Sequence, residues 1–263
     1  MKKFIMAVVT LVTGLPSYGQ KKTVSDTIPT TKEKIKISRL DFNVNLRTSH
    51  LWRGLVINDG MTATGYIHYT IGKKQNFTTG LWGGAGFDGK YTEINYFVQY
   101  QKNNFIIGLW DLFNTTGINS PRVFNYDKNT TTHLIDLRTS YRFPKTFPLR
   151  IEADILLYSG LNDRERNSSS YFRSRNSTYV ELSYPLIRDQ KTNLNIFMGA
   201  AFPINGSKHL YTTKAQSSFD IVNTGMTVSK NIEIFHYQLP VSATAMWNPS
   251  NKIARIQLDV KLF

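Results

Sequence analysis

Apolar and polar residues alternate with a period of two along most of this chain. The pattern is cleanest at Arg39-Leu40-Asp41-Phe42-Asn43-Val44-Asn45-Leu46-Arg47, where every even position is apolar. Successive strand side chains point to opposite faces, so each such segment has one oily and one wet face. The alternation predicts about twelve strands. Oily faces run over Leu40–Leu46, Met61–Ile71, Phe77–Phe87, Ile94–Tyr100, His133–Phe143, Leu149–Leu157, Val180–Tyr184, Leu194–Phe202, Val222–Val228 and Ala254–Leu262. Phe105–Phe113 is apolar on both faces, which leaves its facing open. Ile232–Trp247 contains Pro240, which predicts a bulge or bend. No segment after the first twenty residues shows a helical period.

The connections alternate too. Short ones fall at 72–75, 101–104, 144–148 and 229–231, and long ones at 114–131, 159–176 and 203–216. Two fit less well: 185–192 is long for a tight turn, and Asn248-Pro249-Ser250 is brief for the long-loop side. Short turns at one end and long loops at the other are the habit of transmembrane β-barrels, with both termini on the periplasmic side.

The start of the chain changes the picture further. Lys2 and Lys3 precede an apolar run, Phe4–Leu15, and Ser17 and Gly19 stand before Gln20 as small residues at a cleavage site. Residues 1–19 therefore read as a cleaved signal peptide. Residues 20–38 are polar, rich in Lys and Thr, and read as a flexible periplasmic lead-in. The barrel is expected over 39–263. The chain has no Cys, 14 Tyr and 16 Phe. An exported protein without disulfides that is this rich in aromatics fits a closed ladder better than a stapled secreted domain.

The net charge of +14 does not point to nucleic acid, because export separates the two and the basic residues are scattered. An anionic membrane surface is the better partner. Aromatics near strand ends (Trp52, Tyr69, Trp110, Tyr100, Tyr141, Tyr158, Tyr184 and Trp247) match girdles at the two membrane interfaces. The expected fold is all-β: an antiparallel transmembrane barrel in a bacterial outer membrane.

One stretch carries a resemblance. Ser49-His50-Leu51-Trp52-Arg53-Gly54 is followed by Asn58-Asp59-Gly60, then Gly80-Leu81-Trp82-Gly83, then Glu93-Ile94-Asn95-Tyr96. This resembles the opening strands of the TorF family of porins, over about a quarter of the chain. The resemblance implies an outer-membrane barrel, and less firmly transport. The terminal Phe263 suits recognition by the outer-membrane assembly machinery. The last oily face (Ile256, Leu258, Val260, Leu262) is out of phase with it.

Strand parity assigns the wet face to the lumen. Arg39, Arg47, Arg138, Arg142, Arg150, Arg255 and Lys261 stand against Asp41, Glu93, Asp136, Glu152, Asp154, Glu181 and Asp259, a near-neutral lining. Two readings stay open: a charged constriction for small polar solutes with weak ion selectivity, or an interior zipped shut by ion pairs. Arg164, Arg166, Arg173 and Arg175 share one long loop and could contact lipopolysaccharide phosphate. A non-conducting surface barrel is therefore an alternative. A lipid-modifying barrel enzyme is the third, resting on His133 near Ser140, though the two have opposite parity. The histidines show no metal spacing, and no phosphate loop, metal or cofactor site is expected. The oligomeric state is not legible.

Overall fold

The period-two segments pair into one closed sheet. The computed structural model describes residues 39–263 except 73, 167–171 and 190–191. The expected signal peptide and lead-in lie outside the described residues. Sixteen strands follow in chain order: β1 Leu40–Arg47, β2 His50–Trp52, β3 Leu55–Asn58, β4 Thr62–Ile71, β5 Phe77–Gly86, β6 Thr92–Lys102, β7 Phe105–Asn114 and β8 His133–Arg142. Then come β9 Arg150–Ser159, β10 Arg164–Arg166, β11 Phe172–Ser174, β12 Ser177–Arg188, β13 Thr192–Pro203, β14 Asp220–Ile234, β15 Tyr237–Asn248 and β16 Ile253–Lys261.

Twelve of these close into an antiparallel barrel, in which β1 lies between β4 and β16. Its register runs from Leu40↔Tyr69 to Arg47↔Thr62 on one side and includes Asn45↔Lys261 on the other. Closure leaves no free sheet edge, so the backbone hydrogen bonds are satisfied within the ladder. The remaining four strands form two small hairpins, β2–β3 and β10–β11.

The outward wall is apolar around the circumference. Phe42, Ile67, Leu81, Val98, Leu109, Leu182, Met198, Met226 and Leu258 are each 39–50 % exposed. A soluble sandwich would bury such side chains between its sheets, whereas a lipid-facing wall leaves them on the surface. No helix of the described residues is long and apolar enough to cross a membrane.

One end of the barrel carries the turns at 103–104, 143–149 and 235–236, the reversals from β4 to β5 and from β12 to β13, and also both ends of the strand series. The other carries the connections 48–61, 87–91, 115–132, 160–176, 204–219 and 249–252. These are called the turn end and the loop end below.

The structure corrects three details of the sequence reading. The turn expected at 229–231 lies inside β14. The chain instead reverses at Phe235-His236, both at positive φ (48° and 66°), in a turn whose twist suits a hairpin. Pro240 introduces no bulge, and pairs in register with Asn231. The ladder is interrupted between Pro185 and Ile187, between Ile135 and Asp136, and between Gly199 and Ala200. The last interruption leaves Val222 as an extra residue between the pairs Ala200↔Ile221 and Gly199↔Asn223. Val222, expected on the oily face, is fully buried inside against Tyr179 and Tyr211.

Candidate functional site

The connection 48–61 folds into the barrel rather than standing above it. Arg53 and Gly54 both have positive φ (49° and 82°), which makes a tight mirror-type turn between the short strands β2 and β3. Both arms are apolar near this tip (Leu51, Trp52, Leu55, Val56), so the tip gains by leaving water.

Inside, it meets two hydrophobic clusters on different walls. Leu112, Leu134 and Leu156 line β7, β8 and β9, while Tyr179, Ala201 and Val222 with Tyr211 line the β12–β14 side. Trp52 packs against both clusters, as does Leu210 from the connection 204–219. The hairpin and this second inward loop thus bridge the lumen with apolar side chains.

The Arg53 guanidinium sits at the centre. It donates to Asp136 at 2.9 Å, to Asp154 and to the Tyr211 hydroxyl at 3.0 Å. It also lies over the Trp52 and Tyr179 rings, at 4.8 and 5.3 Å from their centroids. The Arg53 side chain is 6 % exposed and both carboxylates are fully buried. A charge this deep is tolerable only when paired and hydrogen-bonded. Arg138 completes the group, donating to Asp136 at 2.7 Å and covering Trp110 at 4.3 Å. From Trp110 a stack of rings continues along the inner wall to Phe97 and Tyr66, at 4.4 and 5.2 Å.

Further ties hold the hairpin all round. The Leu51 amide donates to the Gln257 side chain on β16 at 3.1 Å, and the Asn248 amide to the Gly54 carbonyl at 3.0 Å. His50 stacks on Trp82 of β5 at 5.3 Å and packs at a tilt against Tyr91 at 5.4 Å. Asn58 donates to the Thr62 hydroxyl at 2.9 Å.

His50 adds a pH dependence. Burial, with Arg47 beside it, pushes its imidazole down to about 3 from the ordinary 6.5. Its Nδ1 faces an Arg47 donor at 3.4 Å, and Tyr91 covers it from the loop 87–91, hydrogen-bonded in turn to Glu93. The docked hairpin therefore holds a neutral imidazole that the undocked one would protonate below pH 6.5. Docking is fully stable above pH 6.5 and loses this contribution as pH falls toward about 3. Proteolysis of the hairpin in reconstituted protein should accelerate between pH 6.5 and 4.5. A His50→Gln protein should lose that part of the pH response; an equal response in both would contradict the assignment.

The other expected site residues fall as follows. Strand register puts Asp41, Arg47, Glu93, Asp136, Arg138, Arg142, Arg150, Glu152, Asp154, Glu181, Arg255, Asp259 and Lys261 on the inward side, with Arg39 just before β1. Arg47 pairs with Asp259, Arg150 with Glu152, and Arg255 with Asp59 at 2.9 Å. Tyr69, Tyr141 and Trp247 are on the outer surface, 42–54 % exposed. Tyr100 packs at a tilt against Phe77 and Tyr184 against Phe147, while the Tyr158 hydroxyl donates to the Tyr126 carbonyl.

Trp52 and Trp110 are not interface aromatics: both pack inside, against the Leu112–Leu134–Leu156 cluster. Arg175 is no surface contact either. It is buried, paired with Asp163 at 3.0 Å and donating to the Asn162 carbonyl. Arg173 pairs with Glu165 at 3.1 Å, Arg164 donates to the Lys128 carbonyl, and Arg166 is exposed in the same loop.

His133 lies on the outer wall with its Nδ1 2.6 Å from Asp111, whose other oxygen accepts from Tyr126 at 2.5 Å. Phe113 stacks on its ring at 3.9 Å. Ser140 faces inward, as parity required, so it cannot serve this imidazole as nucleophile. Among the described residues no cluster of ligands could hold a metal ion.

A closed twelve-stranded antiparallel barrel, apolar outside and crossed by its first hairpin, is the class that the fold defines. The chain matches no sequence-family description and no curated protein. It is similar in fold to the NanC porin in a rhombohedral crystal form, at 9 % identity and a TM-score of 0.44, covering 84 % of this chain and 98 % of that one. It is also similar to the COG4313 outer membrane channel from Pseudomonas putida F1, at 15 % identity and a TM-score of 0.42, covering 90 % and 98 %. A third likeness is to CdiB from Acinetobacter baumannii, at 11 % and 0.33, covering 85 % and 47 %.

Proposed function

We propose that the protein is an outer-membrane channel for small polar solutes, held closed by its first hairpin. The observation that carries this reading is the Arg53 turn, docked on two buried aspartates in a barrel whose outer wall is apolar. A permanently filled barrel could seal itself with apolar side chains alone, because a buried ion pair contributes little net stability over a hydrophobic isostere. An ion-paired tip on a segment outside the ladder is better suited to a plug that leaves and returns. The outer leaflet and its lipopolysaccharide are the proposed surroundings, with Arg164 and Arg166 as the phosphate contacts.

The filled lumen equally favours a second reading, a non-conducting surface barrel. Liposome swelling separates the two. Proteoliposomes should take up small sugars and amino acids slowly with the native protein. Uptake should be several-fold faster when residues 51–57 are replaced by a short Gly-Ser linker. A linker variant that still migrates as a folded, heat-modifiable barrel yet admits no solute would overturn the channel reading.

A further inference from the structure

The lumenal charges balance in number but not along the barrel axis. The acidic ones are largely taken up by other partners: Asp136 and Asp154 by Arg53 and Arg138, Asp259 by Arg47 and Asn45, and Glu181 by the Tyr179 hydroxyl and Asn223. The inward cations near the turn end are left over. Among the described residues Arg39, Arg142, Arg188 and Lys261 form no ion pair with a carboxylate.

Three arginines crowd one wall there. Arg142 on β8 and Arg150 on β9 are direct register partners, and like charges placed opposite each other repel. Ser183 on β12 is the register partner of Arg150 on its other side. Further along β12, past the interruption at Pro185, Arg188 lies within electrostatic reach of Arg142. Glu152 opposes the group and is held by Arg150, Glu181 stands diagonal to Arg150 and accepts from Tyr179 and Asn223, and Asp189, next to Arg188, accepts from the Thr192 amide. Among the described residues the Arg142 guanidinium makes one hydrogen bond, a long one of 3.4 Å to the Pro148 carbonyl. Asp41, another carboxylate near this end, stands on β1 across the barrel, opposite His68 in register, and Glu233 near the end of β14 accepts from Gln238.

Guanidinium groups facing one another, two of them with no carboxylate ion pair, make a receptor for an oxyanion, which accepts paired N–H bonds and relieves the repulsion. We propose that the turn-end mouth of the lumen holds a binding site for small phosphate- or carboxylate-bearing solutes, built by Arg142, Arg150 and Arg188. As a substrate class for the channel this rests on the reading above, but the binding itself needs no open lumen. It also replaces weak selectivity by a preference for anions.

Isothermal titration of the folded barrel in nonionic detergent at low salt, with inorganic pyrophosphate as probe, tests it. The native protein should bind saturably, and more weakly as salt rises. The double variant R142Q/R188Q should bind about tenfold more weakly or worse, the loss of charge-assisted hydrogen bonds. Arg255→Gln, at the loop end, should bind as the native protein does. If the double variant loses heat-modifiable migration, Arg188→Gln alone serves, and should weaken binding several-fold. Absence of saturable binding to the native protein, or equal binding by the folded arginine variant, would overturn the proposal. A barrel that binds pyrophosphate but never conducts would sink the channel reading and leave this site standing; a conducting barrel indifferent to pyrophosphate would do the reverse.

Discussion

Arg53→Ala should release the hairpin and open the barrel. The substitution leaves Asp154 buried with no cationic partner and Asp136 with Arg138 alone. Removing one partner of a buried ion pair typically costs about 3–5 kcal/mol, because the remaining charge is stranded. The twelve-stranded ladder does not include the hairpin. The cost should therefore fall on docking rather than on the barrel. It corresponds to roughly two to four powers of ten in the ratio of docked to undocked forms.

The expected phenotype is a folded barrel with frequent openings and a protease-sensitive hairpin. Charge removal on both sides separates this from simple loss of packing. Arg53→Met combined with Asp154→Asn keeps the volume and removes the stranded charge, so it should restore most of the closure. If Arg53→Ala leaves conductance and proteolysis unchanged, the guanidinium is not the lock.

Gly54→Ala should have a comparable effect by a different route. Gly54 has φ +82°, and a Cβ there would stand 1.8 Å from the Val222 carbonyl oxygen and 2.7 Å from its carbon. Both are backbone atoms of β14, which the barrel ladder holds, so the hairpin must give way. Gly72 is the matched control. It has the same φ of +82°, but a Cβ would meet nothing within 4 Å. Gly72→Ala should cost only backbone strain, about 1–2 kcal/mol, and leave conductance as in the native protein. Gly54→Ala should open the channel and expose the hairpin. Equal behaviour of the two variants would mean that the turn does not seat against β14.

The barrel was largely legible because period-two alternation reports directly on a wall with lipid on one side and a polar interior on the other. It was clearest where the two faces differ most, as in β1 and β16. It was silent where both faces are apolar. In β7, parity alone could not tell that Trp110 and Leu112 turn inward, nor that something inside must cover them. The plug itself left a signal: Arg53-Gly54 between Leu51-Trp52 and Leu55-Val56 has the length and composition of a hairpin apolar on both arms. Such a hairpin has nothing to bury against outside the barrel.

Bulges were the other blind spot. One extra residue at Val222 reverses a side chain without altering the local alternation. Counting lumenal charges could not reveal that the acids are consumed around Arg53 while arginines remain at the turn end. That is a fact of pairing along the axis, which strand register sets.

Single-channel conductance of the purified protein in a planar bilayer, native against the variant with residues 51–57 replaced, tests the central claim most directly. The account predicts a native protein that is mostly closed, with brief openings, and a variant with long, reproducible steps. A native protein already open, with the same conductance as the variant, would contradict a hairpin that closes the lumen.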